Sequence, residues 1–378
     1  MASKKASLFC SSFCPKGEKR LMVSMKTIAE IRKQVLDFLD LYNNKKILLA
    51  VDDDEDGMTS AFQMQQFLEK NGNQVELFLN EKRSVAPGSI NDEEEFNEIF
   101  VESKADIIIF CDLNEEIAAQ KLGLIDKNVK VLIIDHHPSP KEYVIKQKLL
   151  VIKPGLFSTK TPANYSATKI VYDLFEMDAL AALVGIIGDS SLGDWGEFGK
   201  EVMKKNKLSL VQVTRLASVI KSIVSDHMEM KEALFEFMYS NKSLTCLFGS
   251  EYEKLAIEFE KLVESERKRF YNDCEKVDGV ELIFYETKKG LPSRLSNVLS
   301  KENKEVLVVY TKTDFVKGSV RRSDFKVDVG KLIKYSIQNS KDARGGGHIP
   351  AGGFSCPAND FSEFKKRAIS FMKKQKIN

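Results

Sequence analysis

Short apolar, β-branched runs alternate with helix-like stretches through the first half of the chain, and no other sequence feature restricts the fold as strongly. Four runs predict strands, at 46–51, 74–80, 105–111 and 129–134. Strands that alternate with helices form a mostly parallel sheet, and near-continuous apolar runs such as ADIIIFC (105–111) predict burial on both faces. The alternation therefore predicts an α/β fold, with helices at 59–70, 92–103, 115–123, 164–175 and 177–188.

The rest of the pattern divides the chain into further segments. From 199 to 271 it is helical and poor in strands, and apolar residues recur at helical spacing within 252–263. A second, smaller α/β segment follows, with strands predicted at 279–286, 305–311 and 315–321 and helices at 329–340 and 360–374. The predicted division is a frayed tail at 1–22, an α/β domain at 23–195, a helical connector at 196–274 and a second α/β domain at 275–378.

Charge is spread unevenly along the 378 residues, although the net charge is only +2. Residues 275–378 contain 21 Lys+Arg and 12 Asp+Glu, a balance of +9, whereas residues 1–274 contain 36 and 43, a balance of −7. A basic third beside an acidic remainder suggests that one part contacts a polyanion and the other binds cations. A solvated basic surface explains the same composition, so both interpretations stay open at this point.

Composition also limits the compartment in which the chain is expected. No run approaches the roughly 18 to 20 apolar residues that a membrane span requires, which argues against a membrane protein. The six cysteines suggest no disulfide framework, so we expect a reducing compartment and predict a cytoplasmic protein. Cys10 and Cys14 have the spacing of half a metal site, but no second Cys or His pair lies nearby in the sequence.

Acidic residues and histidines follow the predicted strands at the points where open parallel sheets bind ligands. Taken singly, each is explained as a helix cap, a turn residue or a surface histidine. Together they favour a site for two divalent cations, because closely spaced carboxylates repel one another unless cations neutralise them. Carboxylates with imidazoles suit Mn²⁺, Mg²⁺ or Zn²⁺, so the sequence predicts a two-metal hydrolase. The residues concerned are Asp52, Asp53, Asp54, Glu55 and Asp56, then Asp112, then Asp135, His136 and His137, and finally Asp189.

In this order the segments resemble motifs one to four of the DHH phosphoesterases. Residues 52–57 (DDDEDG) match a first motif that reads His-x-Asp-x-Asp-Gly or Asp-x-Asp-x-Asp-Gly, and 135–137 (DHH) match the third. Asp112 and Asp189 take the places of motifs two and four. Residues 165–168 (YSAT) resemble the Ser-Ala-Ser segment that precedes the fourth motif.

The resemblance implies a role for each residue. Asp112 would bridge two metal ions, with Mn²⁺ expected ahead of Mg²⁺, and His137 would contact the phosphate or the nucleophile. Asp135 would orient a neighbouring histidine. Asp53 and Glu55 alternate with the presumed ligands and should point away. Some family members carry a further histidine where this chain has Ala50, which cannot ligate a metal. The other metal ligands would be Asp52, Asp54, Asp56, His136 and Asp189.

The second α/β segment resembles the DHHA1 substrate-binding domain, so the first would be the DHH catalytic domain. Residues 344–348 (RGGGH) and 351–354 (AGGF) match its Gly-Gly-Gly-His motif, and 319–323 (SVRRS) match a Ser-x-Arg-Ser segment. A glycine loop of this kind would allow backbone N–H groups to approach a phosphate closely. The residues that the resemblance assigns to substrate are Arg321, Gly345, Gly346, Gly347 and His348.

Phosphodiester hydrolysis is the activity that the family implies. The favoured substrate is single-stranded DNA or RNA, cut by a RecJ-like exonuclease, because a basic second domain would track a phosphate backbone. The first alternative is a phosphodiesterase for short oligonucleotides or cyclic dinucleotides. The second is a pyrophosphatase or polyphosphatase, with Arg321, Arg322 and Arg344 in a phosphate-binding cluster. A non-catalytic replication scaffold on the same fold is a further interpretation, which the complete set of ligands opposes. An active nuclease held in a replication or repair complex stays open.

Overall fold

The structure of the chain, a computed structural model, describes residues 25–40, 44–80, 93–113, 129–137, 148–288, 291–347 and 349–375. The described strands form two β-sheets, and the first has five strands, all parallel, in the order β2-β1-β3-β4-β5. They are β1 (Lys46–Asp52), β2 (Gln74–Asn80), β3 (Ile107–Cys111), β4 (Lys130–Ile134) and β5 (Leu149–Ile152). The described helices beside this sheet are α1 (Ile28–Leu39), α2 (Glu55–Lys70), α3 (Glu93–Ser103), α4 (Ala167–Phe175) and α5 (Ala179–Gly188).

Both faces of the first sheet are buried. Along β1, Leu49 and Val51 enter a core that includes Phe62 of α2, while Leu48 and Ala50 enter a separate core on the other face. Successive side chains of a strand point to opposite faces, so a strand covered on both sides needs apolar residues at every position. This burial explains the uninterrupted apolar runs and confirms the α/β prediction for this part of the chain.

Four helices form the connector. They are α6 (Gly196–Asn206), α7 (Leu210–Asp226), α8 (Lys231–Ser240) and α9 (Glu251–Asp273). Ser209 and Gln212 form a capping box at the start of α7, and the Ser250 side chain accepts the Glu253 N–H at the start of α9. α9 packs against α7 and leads into the second sheet. In the described part of the chain no single helix is long and apolar enough to cross a membrane, although one sharply bent pair, 192–206 with 210–225, passes that test by length and composition.

The second sheet is mixed, with the order β10-β11-β9-β8-β7-β6. Only β7 and β8 pair in parallel among its described strands. The strands are β6 (Glu275–Lys276), β7 (Leu282–Glu286), β8 (Val306–Lys312), β9 (Phe315–Arg321), β10 (Arg344–Gly347) and β11 (Ala351–Pro357). The described helices beside it are α10 (Pro292–Leu299), α11 (Val329–Ser336) and α12 (Phe361–Gln375).

The glycine triplet is an edge strand, not the loop that the sequence predicted. Gly345, Gly346 and Gly347 belong to β10 and pair antiparallel with β11. A Cβ on Gly347 would lie 2.3 Å from the Ala351 carbonyl oxygen, and its φ of +156° also disfavours other residues. The strand forms because glycine allows the two backbones to approach closely, so packing accounts for part of the motif.

Most predicted elements are confirmed within a few residues at each end. Four strands, β5, β6, β10 and β11, were not predicted, nor were the helices α1 and α10. The predicted helix at 115–123 lies outside the described residues. The domain boundaries near 22, 195 and 274 stay predictions.

Candidate metal centre and active site

The carboxyl ends of three neighbouring parallel strands bring the acidic residues together. Asp52 ends β1, Asp112 follows β3, and the segment 135–137 follows β4. Asp189 is the C-cap residue of α5, which packs against α2. Because β1, β3 and β4 are adjacent and parallel, their ends lie at one edge of the sheet.

Asp54 shapes the acidic turn after β1. One carboxylate oxygen of Asp54 accepts the backbone N–H groups of Asp56 and Gly57, each at 3.0 Å, and so caps α2. A Cβ on Gly57 would lie only 2.0 Å from the Asp52 carbonyl oxygen, so the turn requires glycine there. The helix-cap explanation is thus correct for Asp54, and it is compatible with ligation because a carboxylate has four lone-pair sites.

Asp56 joins the acidic turn to the start of α4. Its two carboxylate oxygens accept the N–H groups of Ala167 and Thr168, at 2.7 and 2.8 Å. These donors belong to segment 165–168, which the sequence linked to the family only by resemblance. The contact gives that segment a physical role, because it orients a buried carboxylate from more than a hundred positions away.

His136 stands among three carboxylates. Its Nε2 lies 3.2 Å from Asp112 Oδ1, 3.5 Å from Asp189 Oδ2 and 3.8 Å from Asp56 Oδ2. Two ligand atoms bound at right angles to one cation of Mg²⁺ size are about 3 Å apart, so these separations suit a shared cation. Asp112 Oδ1 and Asp189 Oδ2 are also buried and have no hydrogen-bond partner among the described residues. These orphaned oxygens support a cation between the side chains.

A second potential ligand group adjoins the first. Ligand atoms of Asp52, Asp54 and Asp112 lie within 4.8 Å of one another, as do those of Asp56, His136 and Asp189. Asp112 is therefore close to both groups, through Asp52 and Asp54 on one side and His136 on the other. Its backbone has φ +61°, a left-handed conformation that is uncommon outside glycine and is often found at functional sites.

The buried carboxylates of this cluster repel one another, and a positive charge among them would relieve that repulsion. Burial, followed by the charge of Asp54, raises the pKa of Asp56 to about 7. Burial, followed by the charge of Asp56, raises the pKa of Asp189 to about 8. The pKa of Asp112 is likewise raised well above its usual value, by burial and the surrounding carboxylates. Bound divalent cations would reverse these shifts, because they favour the ionised form.

Asp135 and Lys153 hold His137. Asp135 Oδ1 lies 2.7 Å from His137 Nδ1, and Lys153 Nζ lies 2.9 Å from Asp135 Oδ2. Lys153 also donates to the His137 carbonyl oxygen at 2.7 Å. Burial acts to lower the pKa of His137, but the hydrogen bond and charge of Asp135, together with the charges of Asp54 and Asp52, outweigh it and raise that pKa. The sequence pattern did not single out Lys153.

Four of the predicted substrate residues lie on the second sheet. Arg321 ends β9, and its Nε is buried without a hydrogen-bond partner among the described residues. Gly345, Gly346 and Gly347 lie two strands away in β10. His348 lies outside the described residues. The suggested phosphate role of Arg322 is not supported, because its guanidinium forms ion pairs with Glu281 at 2.7 Å and Asp324 at 2.6 Å.

Comparison with known families agrees with this division of the molecule. Residues 46–189 match the model of the DHH family, N-terminal domain, and residues 280–374 match the model of the DHHA1 domain. Together the two models cover more than half of the chain. The chain belongs to the DHH/DHHA1 family.

Solved structures share the fold at low sequence identity. RecJ in complex with Mn²⁺ from Thermus thermophilus matches with a TM-score of 0.68 and 16% identity, over 93% of this chain and 55% of that chain. A manganese-bound exonuclease RecJ matches with a TM-score of 0.69 and 18% identity, over 93% of this chain and 95% of that one. CDC45 from Entamoeba histolytica matches with a TM-score of 0.59 and 11% identity, over 91% and 98%. The chain thus spans about half the length of the Thermus RecJ. Comparison with curated protein sequences gives no significant match.

Proposed function

We propose that the protein is a two-metal phosphodiesterase that degrades single-stranded nucleic acid from an end, as a RecJ-like exonuclease. The observation that carries the proposal is the position of Asp112 beside two groups of potential ligands, Asp52 with Asp54 and Asp56 with His136 and Asp189. A carboxylate in that position could serve two cations at once. The fold shared with manganese-bound RecJ structures supports the same class of chemistry.

The charge balance favours two cations over one. Eight carboxylates gather at or beside this sheet edge, and three lysines contact members of the set. With all carboxylates ionised, five negative charges remain uncompensated when the histidines are neutral, and four when His137 is protonated. One divalent cation would leave an excess of three or two negative charges, whereas two cations would leave one or none. The carboxylates are Asp52, Asp53, Asp54, Glu55, Asp56, Asp112, Asp135 and Asp189, and the lysines are Lys153, Lys221 and Lys231.

In the proposed mechanism, the residues that would hold the cations are Asp52, Asp54, Asp56, Asp112, His136 and Asp189. When bound, such ions stabilise charge on phosphoryl oxygens and make water a stronger nucleophile at neutral pH. The chain positions the substrate beside them. His137 carries its Nδ1 proton toward Asp135, so a protonated ring would present Nε2–H to a phosphate oxygen. Asp135 and Lys153 fix the orientation of that ring.

The proposed substrate follows from the second domain. The C-terminal third carries a balance of +9, which suits a polyanion, and Arg321 has a buried guanidinium nitrogen without a described hydrogen-bond partner. A single strand offers one phosphate per nucleotide to such a surface. We propose Mn²⁺ as the resident ion and the cytoplasm as the compartment, with a replication or repair complex as the setting.

End-labelled substrates test this function. Single-stranded DNA and RNA, dinucleotides, cyclic dinucleotides and pyrophosphate would be incubated with the full chain in Mn²⁺ and in Mg²⁺. We expect mononucleotides to be released from one end of strands of about ten or more nucleotides. The affinity for these strands should fall with salt by a log–log slope of about −0.7 per contacted phosphate. Equal kcat/KM for a dinucleotide and a long strand, with a flat salt response, would replace this function by a short-substrate phosphodiesterase.

A further inference from the structure

Two residues of the acidic turn, Asp53 and Glu55, belong to none of the potential ligand groups. Asp53 is 1% exposed and Glu55 is 6% exposed. An ionised carboxylate is costly to bury unless a partner compensates its charge. The side chains that alternate with the candidate ligands are therefore held by something other than a metal.

Lysines of the connector supply that compensation. Lys221 of α7 donates to Glu55 Oε1 at 2.8 Å. Lys231, the first residue of α8, lies 3.9 Å from Asp53 Oδ2 and donates to the Leu79 carbonyl oxygen at 3.0 Å. Lys231 is itself only 4% exposed. The outward half of the acidic turn thus faces fixed positive charges from the connector, whereas the inward half faces His136 and Asp112.

Packing leaves Glu55 little freedom. A Cβ on Gly188 would lie 2.5 Å from the Glu55 Cβ and 3.3 Å from its carboxyl carbon. Glu55 therefore lies across the last turn of α5, directly before the candidate ligand Asp189. The Glu55 carbonyl oxygen accepts the Thr59 hydroxyl at 2.7 Å. A movement of Glu55 would disturb both the first turn of α2 and the end of α5, and these are the segments that carry Asp54, Asp56 and Asp189.

Lys221 also faces the second domain. With Ser222, Arg294 and Asn297 it lines a cavity of about 130 Å³ between the connector and α10. Arg294 of α10 is paired with Glu260 of α9 at 2.7 Å. Lys221 therefore lies between Glu55 of the acidic turn and α10, the helix by which the second domain meets the connector.

We propose that Lys221, through its ion pair with Glu55, is a positioning residue for the metal centre, supported by the Lys231–Asp53 contact. The pair holds Glu55 away from the cations and fixes the turn so that Asp54 and Asp56 face them. This inference rests on the proposed metal function, since it assigns a task at the same site. It also links the connector to the metal centre through a charged contact.

The affinity for metal shows whether Lys221 orients the ligands or acts only through its charge. If Lys221 acted only through its charge, its removal would tighten the binding of a cation, because a repulsive positive charge would be lost. Loss of a residue that orients the ligands weakens binding instead, typically by 10- to 100-fold. The sign of the change therefore decides between the two effects.

The experiment measures Mn²⁺ binding to the full-length chain by calorimetry, for wild type, Lys221→Ala, Lys221→Met and Lys221→Arg. We expect the dissociation constant to rise about 10-fold or more in Lys221→Ala and Lys221→Met, and to stay within about 3-fold of wild type in Lys221→Arg. Lys200→Ala is the matched control, because Lys200 forms an exposed connector ion pair with Glu197. That control should bind Mn²⁺ as wild type does.

Unchanged or tighter binding in both Lys221→Ala and Lys221→Met would overturn the positioning role. Thermal unfolding of the metal-free variants shows whether they fold, and Lys221→Met retains most of the aliphatic stem if alanine proves too disruptive. Because binding is read without substrate, the result is independent of which nucleic acid the enzyme cleaves. A wild-type chain that binds Mn²⁺ and fails to cleave single strands would refute the proposed substrate and leave this test intact.

Discussion

The two α/β units provide their candidate functional groups in different ways. In the first, buried side chains from distant parts of the sequence meet at one sheet edge, and each is held by a specific contact, as Asp56 is by Ala167 and Thr168. In the second, the motif is largely backbone, a glycine strand whose form depends on close packing against β11. Side-chain chemistry therefore dominates the first site, and main-chain geometry dominates the second.

This difference indicates how each unit should respond to mutation. A conservative change at the metal centre removes charge and leaves the sheet intact, so activity should fall without loss of fold. A methyl group added at Gly345 or Gly347 of the glycine strand meets backbone atoms, so a change there should reduce stability first.

Removal of the shared carboxylate should have the largest effect. Asp112→Ala should lower kcat by about 10³-fold or more at saturating Mn²⁺, because one change disturbs both proposed cation sites. Steady-state cleavage of labelled single strands measures the loss. Circular dichroism should show an intact fold, and Asp37→Ala on the exposed side of α1 is the matched control. Activity within about 10-fold of wild type would refute the bridging role of Asp112.

The sequence predicted the first site because parallel topology determines which strand ends meet. Once 46–51, 105–111 and 129–134 are read as parallel strands, the acids that follow them must share an edge. It could not predict which residues would hold those acids. Lys221 lies 166 positions from Glu55, and their contact depends on how the connector packs.

The second unit was harder to predict for a related reason. Glycine runs look like loops in a sequence, because glycine has low strand propensity. The β10–β11 pairing depends on tertiary contacts, such as the close approach of Gly330 to the Gly347 carbonyl oxygen. The pairing of Arg322 with Glu281 and Asp324 could not be predicted from the sequence either. The neighbouring Arg321, by contrast, has a buried nitrogen without a described hydrogen-bond partner.

Removal of the metal should make stability depend on pH in a particular direction. The folded-state pKa values of Asp56, about 7, and Asp189, about 8, lie above the value near 4 expected in the unfolded chain. The metal-free folded state therefore binds protons that the unfolded state has lost. Its free energy of unfolding should fall as the pH rises from 5 to 8, by up to about 1.4 kcal/mol per pH unit for each group.

Chemical denaturation of chelator-treated protein at several pH values measures this slope. Saturating Mn²⁺ should flatten it, because the bound ions keep the carboxylates ionised in the folded state. A metal-free chain whose stability rises with pH over this range would contradict the electrostatic description of the cluster.

Two glycines of one strand should differ in their tolerance of a methyl group. Gly347→Ala should destabilise the fold by about 2–4 kcal/mol, because the added Cβ meets backbone atoms and the φ is unfavourable. Gly346 has nothing within 4 Å of an added Cβ, so Gly346→Ala should leave the melting temperature nearly unchanged. If β10 also contacts substrate, KM for single strands should rise in Gly346→Ala. Equal melting temperatures for the two variants would refute the packing explanation.

Substitution of two adjacent arginines should have smaller effects, on KM in one case and on stability in the other. Arg321→Ala should raise KM for single strands by about 10-fold and reduce the salt dependence of binding, with little change in stability. Arg322→Ala should mainly lower stability, because its partners Glu281 and Asp324 lose a buried guanidinium. Binding titrations at several salt concentrations, together with thermal unfolding, compare the two variants. The reverse pattern would move the substrate contact from Arg321 to Arg322.

The proposed function requires Asp112 to lie between two cations. Anomalous diffraction at the manganese edge, from crystals of the full chain grown with Mn²⁺, can locate both. Two peaks separated by about 3.5–4 Å are expected, and an Asp112 oxygen should be bound to each. His136 should bind the peak on the side of Asp56 and Asp189. In Asp112→Ala crystals at least one peak should be lost. A single peak in the wild-type protein, or two peaks without Asp112 between them, would contradict the two-metal account.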